Sequence, residues 1–118
     1  MNFFSRVYSL TRQVPAGYVT TYGDIARAMG TKDARRVGQA LHANPYPWDE
    51  DTQRTDLCTS PVPCHRVVAK DGRLAPHYAF GGSVEQYAKL KSEGITFLDR
   101  EHVNLAKHRF IFNIRQTD

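Results

Sequence analysis

Residues 21–43 read TYGDIARAMGTKDARRVGQALHA, and this stretch decides the fold. Thr21 can cap a helix with its side-chain oxygen, and the small and apolar residues after it recur at helical spacing until Gly30 ends the pattern. After a three-residue turn, Asp33 can cap a second helix. Two short helices joined in this way predict a helix-turn-helix over about residues 21–43.

The second helix has one apolar face and one polar face. The inward residues follow the spacing i, i+3, i+4 and i+7, and they are Ala34, Val37, Gly38 and Leu41. The polar face carries Arg35, Arg36, Gln39 and His42. A helix-turn-helix can also be a plain packing unit. Two adjacent arginines on a helix thinned by small residues nevertheless favour contact with DNA.

The segments around this unit predict a further helix, a loop and a strand. Apolar residues at helical spacing indicate an amphipathic helix from Phe3 to about Val14. Residues 45–62 are acidic and rich in proline, which is typical of a surface loop. Residues 67–69 are apolar and precede a Lys-Asp-Gly-Arg sequence, so we expect a short strand and a turn there.

The C-terminal third predicts one more helix and a hairpin. The sequence Ser83–Gln86 has the pattern of a capping box, and the helix that it starts would turn Val84, Tyr87 and Leu90 inward. Apolar residues between positions 95 and 114 suggest a hairpin or strand-like finish. Together these elements predict a mostly α fold with short β elements, a winged-helix-like helix-turn-helix domain.

Composition limits the function classes. The 118 residues are 41% hydrophobic and 24% charged, which suits one globular domain over residues 1–118. No apolar run is long enough to span a membrane, so we expect no membrane partner and a location in the cytoplasm, the nucleoid or the nucleus. Residues 1–44 carry six basic and two acidic side chains, and the net charge of +4 favours a polyanionic partner.

The sequence Pro63-Cys64-His65-Arg66-Val67 carries the chemistry. A cysteine beside a histidine and an arginine is placed where a thiolate can form, and the thiolate is the reactive species. The alternative is a small buried cysteine beside a hydrogen-bonded histidine. Because the chain has only two cysteines and no second Cys/His cluster, we expect no disulfide framework and no metal. We also expect no cofactor.

Four blocks of sequence, in this order, resemble the catalytic and DNA-binding domain of the O6-alkylguanine-DNA alkyltransferases over about residues 3–97. The blocks are residues 15–26, residues 34–41 with Asn44-Pro45, residues 63–68, and Gly81-Gly82 with Leu90 and Glu93-Gly94. The resemblance implies repair in one turnover, in which Cys64 takes the alkyl group and is not regenerated.

The resemblance also implies roles for individual residues. His65 would take the Cys64 proton through a water, Glu93 would orient His65, and Asn44 would fix the active-site turn. Tyr22 would donate toward the purine, and Arg35 would fill the space of the extruded nucleotide. The implied partner is duplex DNA containing O6-alkylguanine, which a monomer would bind in the minor groove. The residues implied to contact the DNA are Thr21, Tyr22, Ala34, Arg35, Arg36, Gly38 and Gln39.

Two alternatives remain, and the chain departs from the family pattern. Alkyltransferase-like proteins share the architecture and bind alkylated DNA without repairing it, and a helix-turn-helix transcription regulator would share only the DNA-binding unit. We expect no counterpart, within these 118 residues, of the N-terminal domain of many members. The 19 residues between Asn44 and Cys64 exceed the family's usual number, and residues 74–80 replace a glycine-rich pocket loop.

Overall fold

The computed structural model describes residues 2–48, 60–75 and 82–112. Two of the predicted segments, the middle of the acidic loop and most of the pocket loop, lie outside these residues. The helices are α1 (Phe3–Thr11), α2 (Tyr22–Ala28), α3 (Ala34–His42), α4 (Gly82–Ser92) and α5 (Leu105–His108). The strands are β1 (Thr20–Thr21), β2 (Val67–Val68), β3 (Phe97–Asp99) and β4 (His102–Val103), and a 3₁₀ turn spans Cys64–Arg66. The predicted mostly helical fold with short strands is confirmed.

The helix-turn-helix forms as the sequence predicts. The Thr21 side-chain oxygen accepts a hydrogen bond from the backbone N–H of Asp24, and the Asp33 carboxylate accepts one from Arg36 N–H. Each cap satisfies an amide that the first turn of a helix leaves unpaired. Gly30 follows α2 with a φ of +79°, a conformation that favours glycine.

The helix α3 packs its apolar side against α1 and α2. Val37, Ala40 and Leu41 are buried, whereas Ala34 and Gly38 are half-buried. The Tyr8 hydroxyl donates to the backbone carbonyl of Ala40 at 2.7 Å and so ties α1 to α3. The predicted polar side of α3 is exposed throughout: Arg35, Arg36, Gln39 and His42.

A short parallel strand pair connects this helical unit to the cysteine segment. In the register of β1 and β2, Thr20 pairs with Val67 and Thr21 with Val68. Because β1 ends where α2 begins and β2 begins where the 3₁₀ turn ends, the pairing brings the start of α2 beside the Cys64–Arg66 turn.

The predicted face of α4 is partly wrong. Val84 is 77% exposed, and its side chain does not reach the core. The predicted capping box is also not formed, since the Gln86 side chain bonds to Ala75, His65 and Val67 instead of to the start of its own helix. The buried positions are Gln86 and Leu90, which lie four residues apart on one helix face.

The C-terminal hairpin is confirmed, and a short helix follows it. Strands β3 and β4 pair antiparallel with an irregular register, and α5 then returns the chain to the helix-turn-helix. His108 donates from Nδ1 to the Gly17 carbonyl and accepts at Nε2 from the Thr96 N–H. Arg109 donates twice to the buried Asp24 carboxylate, at 2.8 and 2.6 Å.

Within the described ranges, the helices are all too short or too polar to cross a membrane.

Gly72→Ala should destabilise the protein more than Gly94→Ala. Both glycines have nearly the same positive φ, +89° and +88°, so the backbone strain of about 1–2 kcal/mol is shared. A Cβ at Gly72 would lie 2.5 Å from the Val103 carbonyl oxygen, whereas one at Gly94 meets nothing within 4 Å. We expect an additional loss of about 1–3 kcal/mol for Gly72→Ala, measured by urea unfolding. Equal losses in the two variants would show that the β4 backbone gives way to the new methyl group.

Candidate active site and DNA-binding face

Cys64 sits at the start of the 3₁₀ turn and is 5% exposed. Its backbone N–H donates to the Val62 carbonyl at 2.8 Å, and the Arg66 N–H donates to the Pro63 carbonyl at 2.9 Å. The chain therefore turns tightly at the cysteine before β2 begins. Neighbouring residues of a regular strand point to opposite sides, and the turn means that Cys64 and His65 do not have this arrangement.

The Glu93 carboxylate joins the two residues that follow the cysteine. It lies 2.9 Å from His65 Nε2 and accepts two hydrogen bonds from Arg66, from Nε at 2.9 Å and from Nη2 at 2.6 Å. Arg66 also donates from Nη1 to the Val14 carbonyl. His65, Arg66 and Glu93 side chains are 0%, 6% and 8% exposed. A bidentate arginine–carboxylate pair of this kind fixes the orientation of the carboxylate and also balances its charge.

The protonation states of this group follow from its surroundings. Although burial alone would raise the pKa of Glu93, hydrogen bonds and charge from His65 and Arg66 outweigh it and lower the pKa to about 2. Burial is the main cause that lowers the pKa of His65 below its ordinary value, against the opposing effect of Glu93. At neutral pH the site therefore holds an ionised carboxylate beside a neutral imidazole.

These states fix the tautomer of His65. An ionised carboxylate can only accept, so the hydrogen atom between the two side chains must be on His65 Nε2. Nδ1 then carries a lone pair. That atom is buried and makes no hydrogen bond within the described ranges. The imidazole thus has a proton-accepting nitrogen that the described residues leave available.

Asn44 lies beside the cysteine, at the end of α3. Its Nδ2 donates to the Tyr46 carbonyl at 3.2 Å and lies 3.8 Å from Cys64 Sγ, while its Oδ1 accepts from the Tyr46 N–H. The Tyr46 carbonyl also accepts from the Val62 N–H, next to the cysteine segment. Asn44 therefore contacts both the sulfur and the chain that supports it.

Tyr22 stands at the first position of α2, on the side of the helix that faces Cys64 and α3. Burial, and to a smaller degree the charge of Cys64, raise the pKa of the Tyr22 phenol above its ordinary value. The phenol therefore remains a proton donor at neutral pH. A Cβ added to Gly38 would lie 3.9 Å from the Tyr22 ring, so the ring packs directly on α3.

Gln86 is a site residue that the sequence reasoning missed. It is fully buried, donates to the carbonyls of His65 and Val67, and accepts from the Ala75 N–H. It thereby fixes the end of the active-site turn from α4. Gln86, Leu90 and Glu93 lie at i, i+4 and i+7, and this spacing could have indicated one inward helix face. The sequence pattern instead assigns Gln86 to a capping box.

Trp48 is a second residue that the sequence did not single out. The Arg66 guanidinium carbon lies 4.5 Å from the centre of its ring, and the His65 ring centre lies 5.7 Å away. No family block contains this tryptophan, so only the structure reveals its position.

The predicted DNA contacts separate into exposed and covered positions. Arg35 and Gln39 are exposed on α3, and Arg36 is exposed with its guanidinium 4.2 Å above the Phe3 ring. Thr21, in contrast, is 4% exposed, and its hydroxyl serves as the cap of α2. The structure thus gives Thr21 a helix-capping role, and its side chain offers little surface to a ligand.

No group of three or more metal-ligating side chains that could hold an ion occurs among residues 2–48, 60–75 and 82–112.

Comparison with known proteins identifies the family. The model of the 6-O-methylguanine DNA methyltransferase DNA-binding domain matches residues 2–95. A methylated-DNA–protein-cysteine methyltransferase of Thermococcus kodakarensis is 42% identical over 94 residues, which cover 79% of this chain and 45% of that protein. A bifunctional methyltransferase/endonuclease of Thermoplasma volcanium is 36% identical over 110 residues, or 92% of this chain and 30% of that protein.

A third relative matches along nearly its whole length. Alkyltransferase-like protein 1 of Schizosaccharomyces pombe is 32% identical over 112 residues, covering 90% of this chain and 92% of that protein. Its crystal structure in complex with damaged DNA containing O6-carboxymethylguanine has a TM-score of 0.67 at 29% identity and covers 92% of this chain and 94% of that chain.

The chain spans less than half the length of the two methyltransferase relatives and nearly all of the alkyltransferase-like one. The relatives thus include proteins named for methyl transfer and one that is alkyltransferase-like, and they share this domain. Since the family model covers most of the sequence and the fold agrees with that of the damaged-DNA complex, the chain belongs to the 6-O-methylguanine DNA methyltransferase family through its DNA-binding domain.

Proposed function

We propose that this chain repairs O6-alkylguanine in duplex DNA by transferring the alkyl group irreversibly to Cys64. The observation that carries the proposal is the buried series Cys64, His65 and Glu93, in which the neutral imidazole has its accepting nitrogen unbonded among the described residues. A nucleophile, a base and a group that orients the base are the general requirements of this type of catalysis.

The proposed reaction balances without a cofactor. The Cys64 thiol gives its proton to His65 Nδ1, directly or through a water. The sulfur lone pair then forms the S–C bond while the C–O6 bond breaks and its electron pair stays on guanine. The Tyr22 phenol gives a proton to the departing purine, and the proton held by His65 restores the phenol through solvent. Cys64 ends as a thioether, which has no route back to the thiol, so each molecule acts once.

The exposed side of α3 is the proposed DNA-binding face. The half-buried Ala34 and Gly38 keep the helix thin, and Arg35 and Gln39 are exposed on it. We assign the minor groove as the contact and a monomer as the acting form. The extruded nucleotide would leave a space for Arg35, and an alkylated guanine costs less to extrude because it pairs poorly. The protein would act in the nucleoid or nucleus.

Recognition of alkylated DNA without repair is the second candidate. The observation that favours it is the match to the alkyltransferase-like protein along nearly the full length of both chains. The observation against it is the presence of Cys64 next to His65, whose Nε2 is held by Glu93. The two candidates differ in one measurable event, which is the appearance of an alkyl group on the protein.

Incubation with duplex DNA containing O6-methylguanine should add one methyl group to the protein, on Cys64. Intact mass and peptide mapping measure the gain and its position. Cys64→Ser should bind the same DNA without gaining mass, whereas Cys58→Ser should still be methylated. A methyl group on Cys58, or no gain in mass with the native protein, would refute repair through Cys64.

His65→Gln and Glu93→Gln should each slow single-turnover transfer by about 10²–10⁴-fold, because each removes part of the acid–base assistance. Glutamine at position 93 keeps an oxygen for Arg66 and so limits the damage to the fold. Glu85→Gln is the control, since Glu85 is exposed on the same helix and pairs only with Lys89 among the described side chains. The hypothesis fails if both site variants transfer at the native rate.

Arg35→Ala should reduce repair of duplex DNA much more than reaction with the alkylated free base, because the free base needs no extrusion. Arg36→Ala is the comparison. As a predicted phosphate contact it should weaken binding and reduce the slope of log affinity against log salt by about one unit. Equal slowing of both substrates by Arg35→Ala would instead make this arginine a structural residue.

A further inference from the structure

Trp48 belongs to a segment whose described ends are held by hydrogen bonds near the proposed active site. It lies four residues after Asn44, which bonds both N–H and C=O of Tyr46. On the far side of residues 49–59, the Ser60 carbonyl accepts two hydrogen bonds from Arg12, at 3.0 and 2.7 Å, and Val62 N–H bonds to Tyr46. Both described ends of this segment are therefore attached next to Cys64.

The contact between Trp48 and the site is made by the face of the indole ring. Its ring centre lies 4.5 Å from the Arg66 guanidinium carbon and 5.7 Å from the centre of the His65 ring, which is inclined by 53°. The indole nitrogen is buried and makes no hydrogen bond to any residue that the structure describes. The indole ring therefore lies over the Arg66 guanidinium and at a tilt beside the His65 ring, and its nitrogen makes no polar contact with either residue.

Trp48 is the most exposed of these three residues. His65 and Arg66 are 0% and 5% exposed, whereas Trp48 is half-buried. Of the three residues in contact, Trp48 is thus the one with surface accessible to solvent. Aromatic rings exclude water over a large area and attract a guanidinium to their face, so one side chain serves both neighbours.

The charges around His65 do not by themselves keep it neutral. Glu93, from α4, favours the imidazolium form, whereas Arg66 in the same turn and Lys89 from α4 oppose it. Cys64 precedes it in the turn. Exclusion of water is the largest influence and lowers the pKa of His65. A residue that controls access of water to this ring therefore controls whether it can accept a proton.

We propose that Trp48 is a positioning residue, an aromatic cover that keeps water from His65 and Arg66 and so maintains the imidazole as a neutral proton acceptor for Cys64. This inference rests on the proposed function, because it gives His65 the task of taking the thiol proton. Trp48 touches neither the sulfur nor the alkyl group in this assignment. Its effect passes through His65.

Titration of the His65 ring by NMR tests the cover without any repair assay. In Trp48→Ala, water should reach the ring while Glu93 still attracts the imidazolium, so the pKa of His65 should rise to its ordinary value of 6.5 or above. Trp48→Phe keeps an aromatic cover and should titrate nearly as the native protein does. Tyr18→Ala is the matched control, since Tyr18 is an exposed aromatic residue in edge-to-face contact with Phe110.

The native protein provides a second measurement, because Trp48 is its one tryptophan. Protonated imidazole quenches indole fluorescence, so emission should fall as pH is lowered through the titration of His65, with a midpoint below 6.5. His65→Gln should abolish this step. A native protein without a His65-dependent step would overturn the proposed contact even if Trp48→Ala did not fold.

The rate of methyl transfer gives the functional consequence. If the pKa of His65 rises to about 6.5, only about a quarter of the imidazole is neutral at pH 6, so Trp48→Ala should be about fourfold slower there and close to native at pH 8. A uniform loss at both pH values, with an unchanged His65 titration, would overturn the proposal. Absence of transfer by the native protein would refute repair, and the titrations would still decide the role of Trp48.

Discussion

The ionised carboxylate of Glu93 is the constraint on which the site depends. A buried charge is tolerated only when its partners are close and correctly directed, and here Arg66 supplies two hydrogen bonds and His65 one. Because Arg66 also reaches the Val14 carbonyl, the carboxylate joins α4, the 3₁₀ turn and the chain after α1. Loss of one partner from such a group typically costs about 3–5 kcal/mol. The orientation of the imidazole is therefore secured by the same contacts that hold the fold together.

Much of the helical half could be predicted from the sequence because its determinants are local. The caps at Thr21 and Asp33 act over three residues, and the amphipathic pattern of α3 repeats within two turns. The family blocks assign roles to Cys64, His65 and Glu93, and the structure brings the last two into contact. The contacts of Gln86 with the active-site turn could not be predicted, since they join residues 19 and 21 positions apart and depend on how α4 packs. The same packing leaves Val84 exposed, although its position in the helical pattern suggested burial.

His65 combines two properties that usually exclude each other, a hydrogen bond to a carboxylate and a neutral imidazole. Histidine next to a carboxylate would ordinarily become charged and lose its capacity as a base. Burial opposes that tendency here, so the imidazole keeps both the orienting hydrogen bond and an accepting nitrogen. Relatives named for methyl transfer and a relative named alkyltransferase-like share the surrounding fold. The shared fold therefore does not separate repair from recognition, and the distinction depends on whether Cys64 receives the alkyl group.

The bond between Asp24 and Arg109 has a consequence for how this domain can be divided. The family match ends at residue 95, yet Arg109 reaches back to the capped end of α2, and the buried Phe112 belongs to the same core cluster as Ile25 and Val37. The evolutionary module and the folding unit therefore have different boundaries. A fragment cut at the family boundary would leave the Asp24 carboxylate without Arg109 and open one side of the core. Fusion or transplantation of this domain should consequently carry residues 96–112 with it.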